Sequence, residues 1–264
     1  MSSDVIELLF LGSGTSAGIP LIGCHCPVCS SSDPHDKRTR PSVVISYGPY
    51  RVLVDTTPEL RIQCIAQGVE RIDAVVFTHA HADHVMGLDD VRRFNMLSGL
   101  PLDVWADDAT HQALQRCFGY AFAPPAPDAE SFRPHLRKRL IAEDQAFEVA
   151  GRKWTPIRLM HGKLSVLGFR VGRLAYCTDV SEIPEESFDK LHNLDVLVLD
   201  ALHPKPHAKH FSIGQAIAAA QRIGAKQTFF THMTHSISHA EVEASLPPGI
   251  HLSYDGLRVQ ARAI

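Results

Sequence analysis

No hydrophobic stretch in this chain is long enough to span a membrane. The first apolar run, Val5 to Leu11, is short, and Met1-Ser2-Ser3-Asp4 ahead of it lacks the basic segment of a secretory leader. A cytoplasmic protein is the expectation. Positive charge is not in excess either: 26 Lys and Arg against 29 Asp and Glu leave a net charge of −3. That balance lacks the electrostatic footprint of a protein gripping long nucleic acid. Low-complexity segments and short-period repeats are also missing. The glycine-rich stretch Gly12-Ser13-Gly14-Thr15-Ser16-Ala17-Gly18 has no Gly-Lys-Ser/Thr closure and no helical pattern after it, which excludes a P-loop. A tight turn is its expected role, with a phosphate held by its amides as the alternative. What remains is ordinary globular material, 45% hydrophobic and 21% charged. Its 264 residues suffice for a sizeable core, and the expectation is a single domain over 1–264.

Periodicity and punctuation place the elements. Val5 to Leu11 reads as a strand, and Ser42 to Tyr47 with Tyr50 to Asp55 as a hairpin around Gly48-Pro49. A helix is expected from Thr57-Pro58 to Gln67, capped by Thr57 and stopped by Gly68. Ala74 to Thr78 is a short buried strand, and Gly87 to Leu97 has helical spacing. There Asp89, Asp90, Arg92 and Arg93 form a solvated face, from which Arg92 could reach a substrate phosphate. Pro101 to Ala106 is a strand, and Asp107 to Arg116 a helix with an acidic start. The pattern then breaks over Gly119 to Leu140, where Pro124-Pro125 precede Arg133 and Arg137-Lys138-Arg139. The favoured reading is a solvated loop with a charged strand edge; the sharper one is a lid or dimer contact. Further strands are expected at Arg152 to Met160, Val166 to Val171, Arg173 to Cys177, Asp195 to Asp200 and Gln227 to Thr231. A helix capped by Ser212 runs to Ile223 and stops at Gly224.

Chemistry concentrates at the ends of these strands. His79-Ala80-His81-Ala82-Asp83-His84 follows the strand Ala74 to Thr78. Two histidines two apart on extended chain point to one side, and Asp83 and His84 can face a second point after the turn. Nitrogen and oxygen donors so dense suit Zn²⁺, Mn²⁺ or Fe²⁺. Cys24-His25-Cys26-Pro27-Val28-Cys29 offers three thiols in C-x-C-x-x-C. In a reducing compartment that spacing favours structural zinc, with a fourth ligand from elsewhere and His25 pointing outward.

The H-x-H-x-D-H run after a buried strand resembles the signature of the metallo-β-lactamase superfamily. That resemblance implies an α/β fold, the αβ/βα sandwich of two packed mixed sheets flanked by helices, with two metals at one edge. It further implies that His79, His81 and His161 hold the first metal, that Asp83, His84 and His232 hold the second, and that Asp179 bridges them. Asp55 would orient a metal-bound histidine. The expected cofactors are two divalent ions, Mn²⁺ or Zn²⁺, at the active site and one structural Zn²⁺.

Two divalent cations, two aspartates and a bridging hydroxide sum to about one positive charge, which favours an anionic substrate. An aspartate rather than a thiolate at position 179 argues for phosphodiesters over β-lactams. Departure of an alkoxide needs a proton, and His210 fits that role by its place between the Asp200 strand end and the helix capped by Ser212. His203 and His207 read as loop-surface residues. The catalytic set is then His210 with the ligand carboxylates Asp179 and Asp83.

Within the superfamily, Gly23-Cys24-x-Cys26-x-x-Cys29 together with Thr231-His232-x-x-His235 resembles the PhnP-type phosphodiesterases. Leu11-Gly12, Gly87-Leu88, His161-x-Lys163-Leu164, Thr178-Asp179 and His203-Pro204 belong to the same likeness, which spans most of the chain. It implies that His235 completes the site of Cys24, Cys26 and Cys29. It also implies a homodimer that opens 5-phosphoribosyl 1,2-cyclic phosphate by hydroxide attack at phosphorus. Partners are expected to be a small phosphodiester and a second copy, not a membrane or nucleic acid. A ribonuclease Z-like RNA-processing enzyme is the rival reading, and a non-catalytic PqqB-like metal-binding protein the other.

Overall fold

The computed structural model describes residues 4–124, 133–142 and 144–264. Fourteen strands among them form two seven-stranded sheets. The first half of the chain supplies β1 (Val5–Gly12), β2 (Ser42–Tyr47), β3 (Tyr50–Val54), β4 (Ala74–Val76), β5 (Leu102–Ala106) and β6 (Leu136–Leu140). The second half supplies β7 (Phe147–Val149), β8 (Arg152–His161), β9 (Leu164–Val171), β10 (Leu174–Cys177), β11 (Val196–Asp200), β12 (Gln227–Thr231) and β13 (Ile250–Leu252). The last strand, β14 (Arg258–Arg262), crosses back and pairs with β1, so sheet one runs β14-β1-β2-β3-β4-β5-β6. Sheet two runs β13-β12-β11-β10-β9-β8-β7.

Both sheets follow one plan. Antiparallel hairpins open each half, and parallel strands joined by helices close it: β3 to β6 in sheet one, β10 to β13 in sheet two. Strand periodicity separates the cores. Along β1, Ile6, Leu8 and Phe10 point between the sheets, where they meet Trp154, Phe169 and Tyr176, while Leu9 and Leu11 point to the helices behind sheet one. A third core lies behind sheet two around Leu197, Leu199, Ala216 and Phe230. The layers are therefore helix, sheet, sheet, helix, the expected αβ/βα sandwich. Because both sheets are covered on both faces, β2, β4 and β11 are buried at every residue, and β4 and β11 up to Leu199 read as unbroken apolar runs.

Seven α-helices are described: α1 (Leu60–Gln67), α2 (Ala82–Val85), α3 (Arg92–Ser98), α4 (Asp108–Phe122), α5 (Glu185–Phe188), α6 (Ile213–Ile223) and α7 (His239–Glu243). None is long and apolar enough to cross a membrane. Ser212 caps α6 in a full capping box with Gln215, and Gly224 ends it in the left-handed conformation. Thr57 does not cap α1, contrary to expectation: its hydroxyl donates to Gln63 Oε1 at 2.9 Å, and the helix begins at Leu60. Likewise α4 runs past Arg116 to Phe122, with Phe118 at φ −130 as its only irregular residue. Leu114, Phe118 and Ala121 are buried at helical spacing, and their burial outweighs the glycine at 119. The basic run forms edge strand β6, where Arg137 and Arg139 share Asp103 and Lys138 faces Asp108. This is the charged strand edge that the sequence favoured, and charge on an edge also discourages pairing with other chains. The middle of the expected 119–140 insertion, 125–132 with Pro125, lies outside the described residues.

Candidate metal centre

Strand direction gathers the chemistry. β3 and β4 are parallel, as are β10, β11 and β12, while β8 reaches the same edge through the antiparallel β9. Asp55 follows β3, His79 to His84 follow β4, His161 ends β8, Asp179 follows β10, Asp200 ends β11 and His232 follows β12. Leu167 N–H donates to Thr78 O at 3.1 Å and ties the two sheets together at this edge. Asp55, Asp179 and His232 have φ of 63, 57 and 62, the left-handed region in which Asp and His are tolerated but uncommon. Such strain clusters where the fold must aim a functional group.

The donor atoms fall into two overlapping groups. His81, His161 and Asp179 offer atoms within 4.8 Å of one another, as do Asp83, His84 and His232, and His79, His84 and Asp179 link the two groups. His79 Nε2 lies 2.9 Å from His81 Nδ1. His84 Nε2 lies 3.3 Å from Asp179 Oδ1 and 3.5 Å from Asp83 Oδ2. His232 Nε2 lies 3.5 Å from Asp179 Oδ2 and 3.7 Å from Asp83 Oδ2. Ligands at about 2.1 Å from one tetrahedral ion would stand about 3.4 Å apart, so these spacings fit.

Outer groups fix which ring nitrogen faces inward. His84 Nδ1–H donates to Asp55 Oδ2 at 2.7 Å, and Asp55 also receives Thr78 N–H and Oγ1–H at 2.8 Å each. His161 Nδ1–H donates to Lys209 O at 2.8 Å, and His79 Nδ1 lies 3.0 Å from Thr78 Oγ1. Each of these rings is left with Nε2 for a ligand. His84 Nε2 and both His232 nitrogens are buried with no hydrogen-bond partner. Buried polar atoms without partners are costly unless something binds them, and a cation is what imidazoles would bind. The cluster fits a dinuclear site.

Charge states differ between the groups. Burial alone would raise Asp179, but the His232 and His84 imidazoles outweigh it and hold its carboxyl well below the usual range. Asp83 is also lowered: burial is overcome by the neighbouring His232 and His84 imidazoles. Those two imidazoles respond in kind. Against burial, Asp179 and Asp55 raise His84 well above its ordinary value, and Asp179 and Asp83 lift His232 to about 9. His79 and His81 are lowered, chiefly by burial, and burial brings His161 down to about 4. The His79, His81 and His161 imidazoles are thus biased toward the neutral form that binds metal, and those of His84 and His232 toward the protonated form.

Asp200, which the sequence reading placed only as a strand end, is fully buried. Its Oδ2 accepts from Val180 N–H at 2.9 Å and lies 2.8 Å from His210 Nδ1. His210 stacks on His232 with ring centroids 4.7 Å apart, and its donor atom lies within 4.8 Å of those of Asp179 and His232. An acid at the end of a buried strand, as with Asp55 and Asp179, was the available signal for Asp200. Arg92 is not brought to this edge: it pairs with Asp89 at 2.8 Å and lines a groove between α1 and α3 that contains none of the donors. His203 is half-buried and His207 exposed on the loop after β11.

A second cluster joins distant parts of the chain. His235 Nδ1 lies 3.4 Å from Cys24 Sγ, 3.4 Å from Cys26 Sγ and 3.7 Å from Cys29 Sγ. Sulfur and nitrogen around one tetrahedral zinc would stand about 3.6 Å apart. The Cys₃His group fits a structural metal, and His25 between its cysteines is exposed. The glycine-rich loop braces it: Thr15 N–H donates to Met233 O and Met233 N–H to Ser13 O. The amides of Ser13, Gly14, Thr15 and Gly18 all donate to protein acceptors, which leaves the phosphate alternative without those donors.

Residues 50–233 match the family model described as a beta-lactamase superfamily domain. An octanoyltransferase of Porphyromonas gingivalis is 38% identical over 256 residues, 96% of this chain but 51% of that protein, so the chain spans about half of that relative. Coenzyme PQQ synthesis protein B of Methylobacterium nodulans is 32% identical over 223 residues, 74% of this chain and 72% of that protein. A crystal structure described as a new diphosphatase from the PhnP family superposes with a TM-score of 0.91 at 41% identity, over 98% of this chain and 99% of that one. With a matching model over more than half of its length and that near-complete likeness, the chain belongs to the metallo-β-lactamase superfamily and, within it, to the PhnP family.

Proposed function

We propose that this PhnP-family hydrolase cleaves P–O bonds in a small molecule, at a phosphorus that carries two bridging oxygens. One observation carries the reading: two imidazole and carboxylate donor groups share Asp179, with the Asp200–His210 pair set against them. The proposed ligands are His79, His81, His161 and Asp179 for one ion and Asp83, His84, His232 and Asp179 for the other. When bound, such a pair supplies a water of lowered pKa and positive charge against phosphoryl oxygens.

The protein groups do the rest. Asp55 and the Lys209 carbonyl hold the His84 and His161 rings in register. His210 has Nδ1 committed to Asp200, so Nε2 is the atom left to hand a proton to the leaving oxygen. Asp200 Oδ2, 2.8 Å from Nδ1, fixes the ring's orientation and so aims Nε2. Buried surroundings keep these charge interactions strong.

Acyl transfer, the activity named for the P. gingivalis relative, calls for a nucleophile such as a thiolate. Cys177, two residues before Asp179, is fully buried, and burial pushes its thiol up to about 12. The PhnP-family diphosphatase points to a diphosphate diester as one form of the substrate, and a cyclic ester such as 5-phosphoribosyl 1,2-cyclic phosphate is the other. The net charge of −3 supports a small molecule over RNA. ³¹P NMR of both compounds with Mn²⁺-loaded protein decides between them. Conversion of either supports phosphorus hydrolysis. Silence on both, with bis(p-nitrophenyl) phosphate also untouched, overturns it in favour of a non-catalytic metal-binding protein.

A further inference from the structure

We infer that Lys209 is a specificity-determining residue: it holds a second phosphate of the substrate, beside the phosphorus that is cleaved. The inference rests on the reading of the site as a phosphorus hydrolase, and it narrows the substrate to small molecules that carry two phosphorus groups.

The residue is fixed in place by its own backbone. Lys209 O receives His161 Nδ1–H at 2.8 Å, and Lys209 N–H donates to His207 Nδ1 at 3.3 Å. Its stem crosses Gly162, the residue after His161, so closely that a Cβ there would stand 3.2 Å from Lys209 Cγ. The next residue is His210, whose ring lies 4.5 Å from that of His161 and 5.4 Å from that of His207. Lys209 therefore spans the rim between the donor group and the proton donor.

His81, the most exposed of the donor histidines, has its ring 5.1 Å from that of His161, whose Nδ1–H the Lys209 carbonyl accepts. The exposed Lys209 ammonium has no carboxylate partner among the described residues. Lys138, Lys190 and Lys226 are paired with Asp108, Asp144 and Asp195. Among the described residues Lys209, like Lys153, Lys163 and Lys205, keeps its charge free, and it alone of these is anchored through its carbonyl to a donor histidine. An unneutralised point charge on a flexible stem, anchored beside a phosphoryl site, suits an anion whose distance from the scissile phosphorus can vary. A sugar phosphate or the far half of a diphosphate has that chemistry.

The test compares wild type, Lys209→Ala and Lys209→Arg, all Mn²⁺-loaded, on 5-phosphoribosyl 1,2-cyclic phosphate, a diphosphate diester and bis(p-nitrophenyl) phosphate. Whichever two-phosphorus compound wild type cleaves should lose about tenfold or more in kcat/KM relative to the aryl diester in Lys209→Ala, mainly through KM, as expected for a lost charged contact. Lys209→Arg should restore most of that ratio. A binding measurement is independent of turnover: wild type should prefer ribose 1,5-bisphosphate to ribose 5-phosphate in calorimetry, and Lys209→Ala should lose the preference. An unchanged ratio, or an unchanged binding preference, overturns the role of Lys209. Absence of turnover on every compound refutes the hydrolase reading instead, and the binding comparison still decides whether Lys209 selects a second phosphate.

Discussion

Asp200 commits one side of His210 through a single contact at 2.8 Å, and the proposed proton donation rests on it. A donor matters in proportion to how badly the leaving group needs a proton. His210→Ala should therefore cost about 10²–10⁴-fold in kcat on a substrate that releases an alkoxide. On bis(p-nitrophenyl) phosphate, whose phenolate leaves unaided, the same change should cost far less. Equal losses on both leaving groups would remove the proton-donor role and make His210 a packing partner of His232. Asp200→Asn should follow the same pattern, since an amide replaces the carboxylate oxygen that holds Nδ1 and orients the ring.

At the scale of elements, the segment from β12 to α7 links the two clusters. His232 and His235 are separated only by Met233 and Thr234, and Met233 is held on both sides by the glycine-rich loop after β1. Arg38, almost fully buried, donates to Thr234 O at 3.3 Å and to Asp36 Oδ1 at 3.0 Å, which pins the cysteine-bearing loop to this segment. His235→Ala should lower bound metal from three to two equivalents per chain and lower the melting temperature. Three equivalents retained by elemental analysis would sink the Cys₃His assignment. The segment also shows what a sequence can and cannot reveal. The spacings of His79 to His84 and of Cys24 to Cys29 are local, so their density was visible at once. Each strand-exit acid was visible as well, but its partner was not. Asp255 joins Ser13 and Thr39 from more than 200 positions away, and Arg38 reaches Thr234 across 196. Such contacts depend on which strands become neighbours, and no local pattern encodes that. The early end expected for α4 failed for a related reason: the core that buries Phe118 and Ala121 comes from other elements.

On the scale of the whole molecule, the centre is a joint between two sheets. Sheet one contributes His79, His81, Asp83 and His84, and sheet two contributes His161, Asp179 and His232. Ions held by both should stabilise the folded chain, because the unfolded chain offers no such arrangement. At a free metal concentration about 100 times the dissociation constant, the gain is about 2.7 kcal/mol. Protons oppose this gain on one side of the joint. His232, lifted to about 9, and His84 carry protons in the metal-free protein at neutral pH, and a ligand imidazole must give its proton up. Each displaced proton weakens binding by about 1.4 kcal/mol per unit of pH below the raised value. His161, down at about 4, is already neutral and exacts no such penalty above that pH. Thermal unfolding with and without Mn²⁺ should therefore show a large rise in melting temperature at pH 8 and a clearly smaller one at pH 6. Calorimetry at pH 7 in two buffers of different ionisation enthalpy should show proton release as metal enters. A melting temperature indifferent to Mn²⁺ at pH 8 would mean that the sheets hold this edge together without ions. A metal-induced rise that is equal at both pH values would mean that His84 and His232 do not ligate.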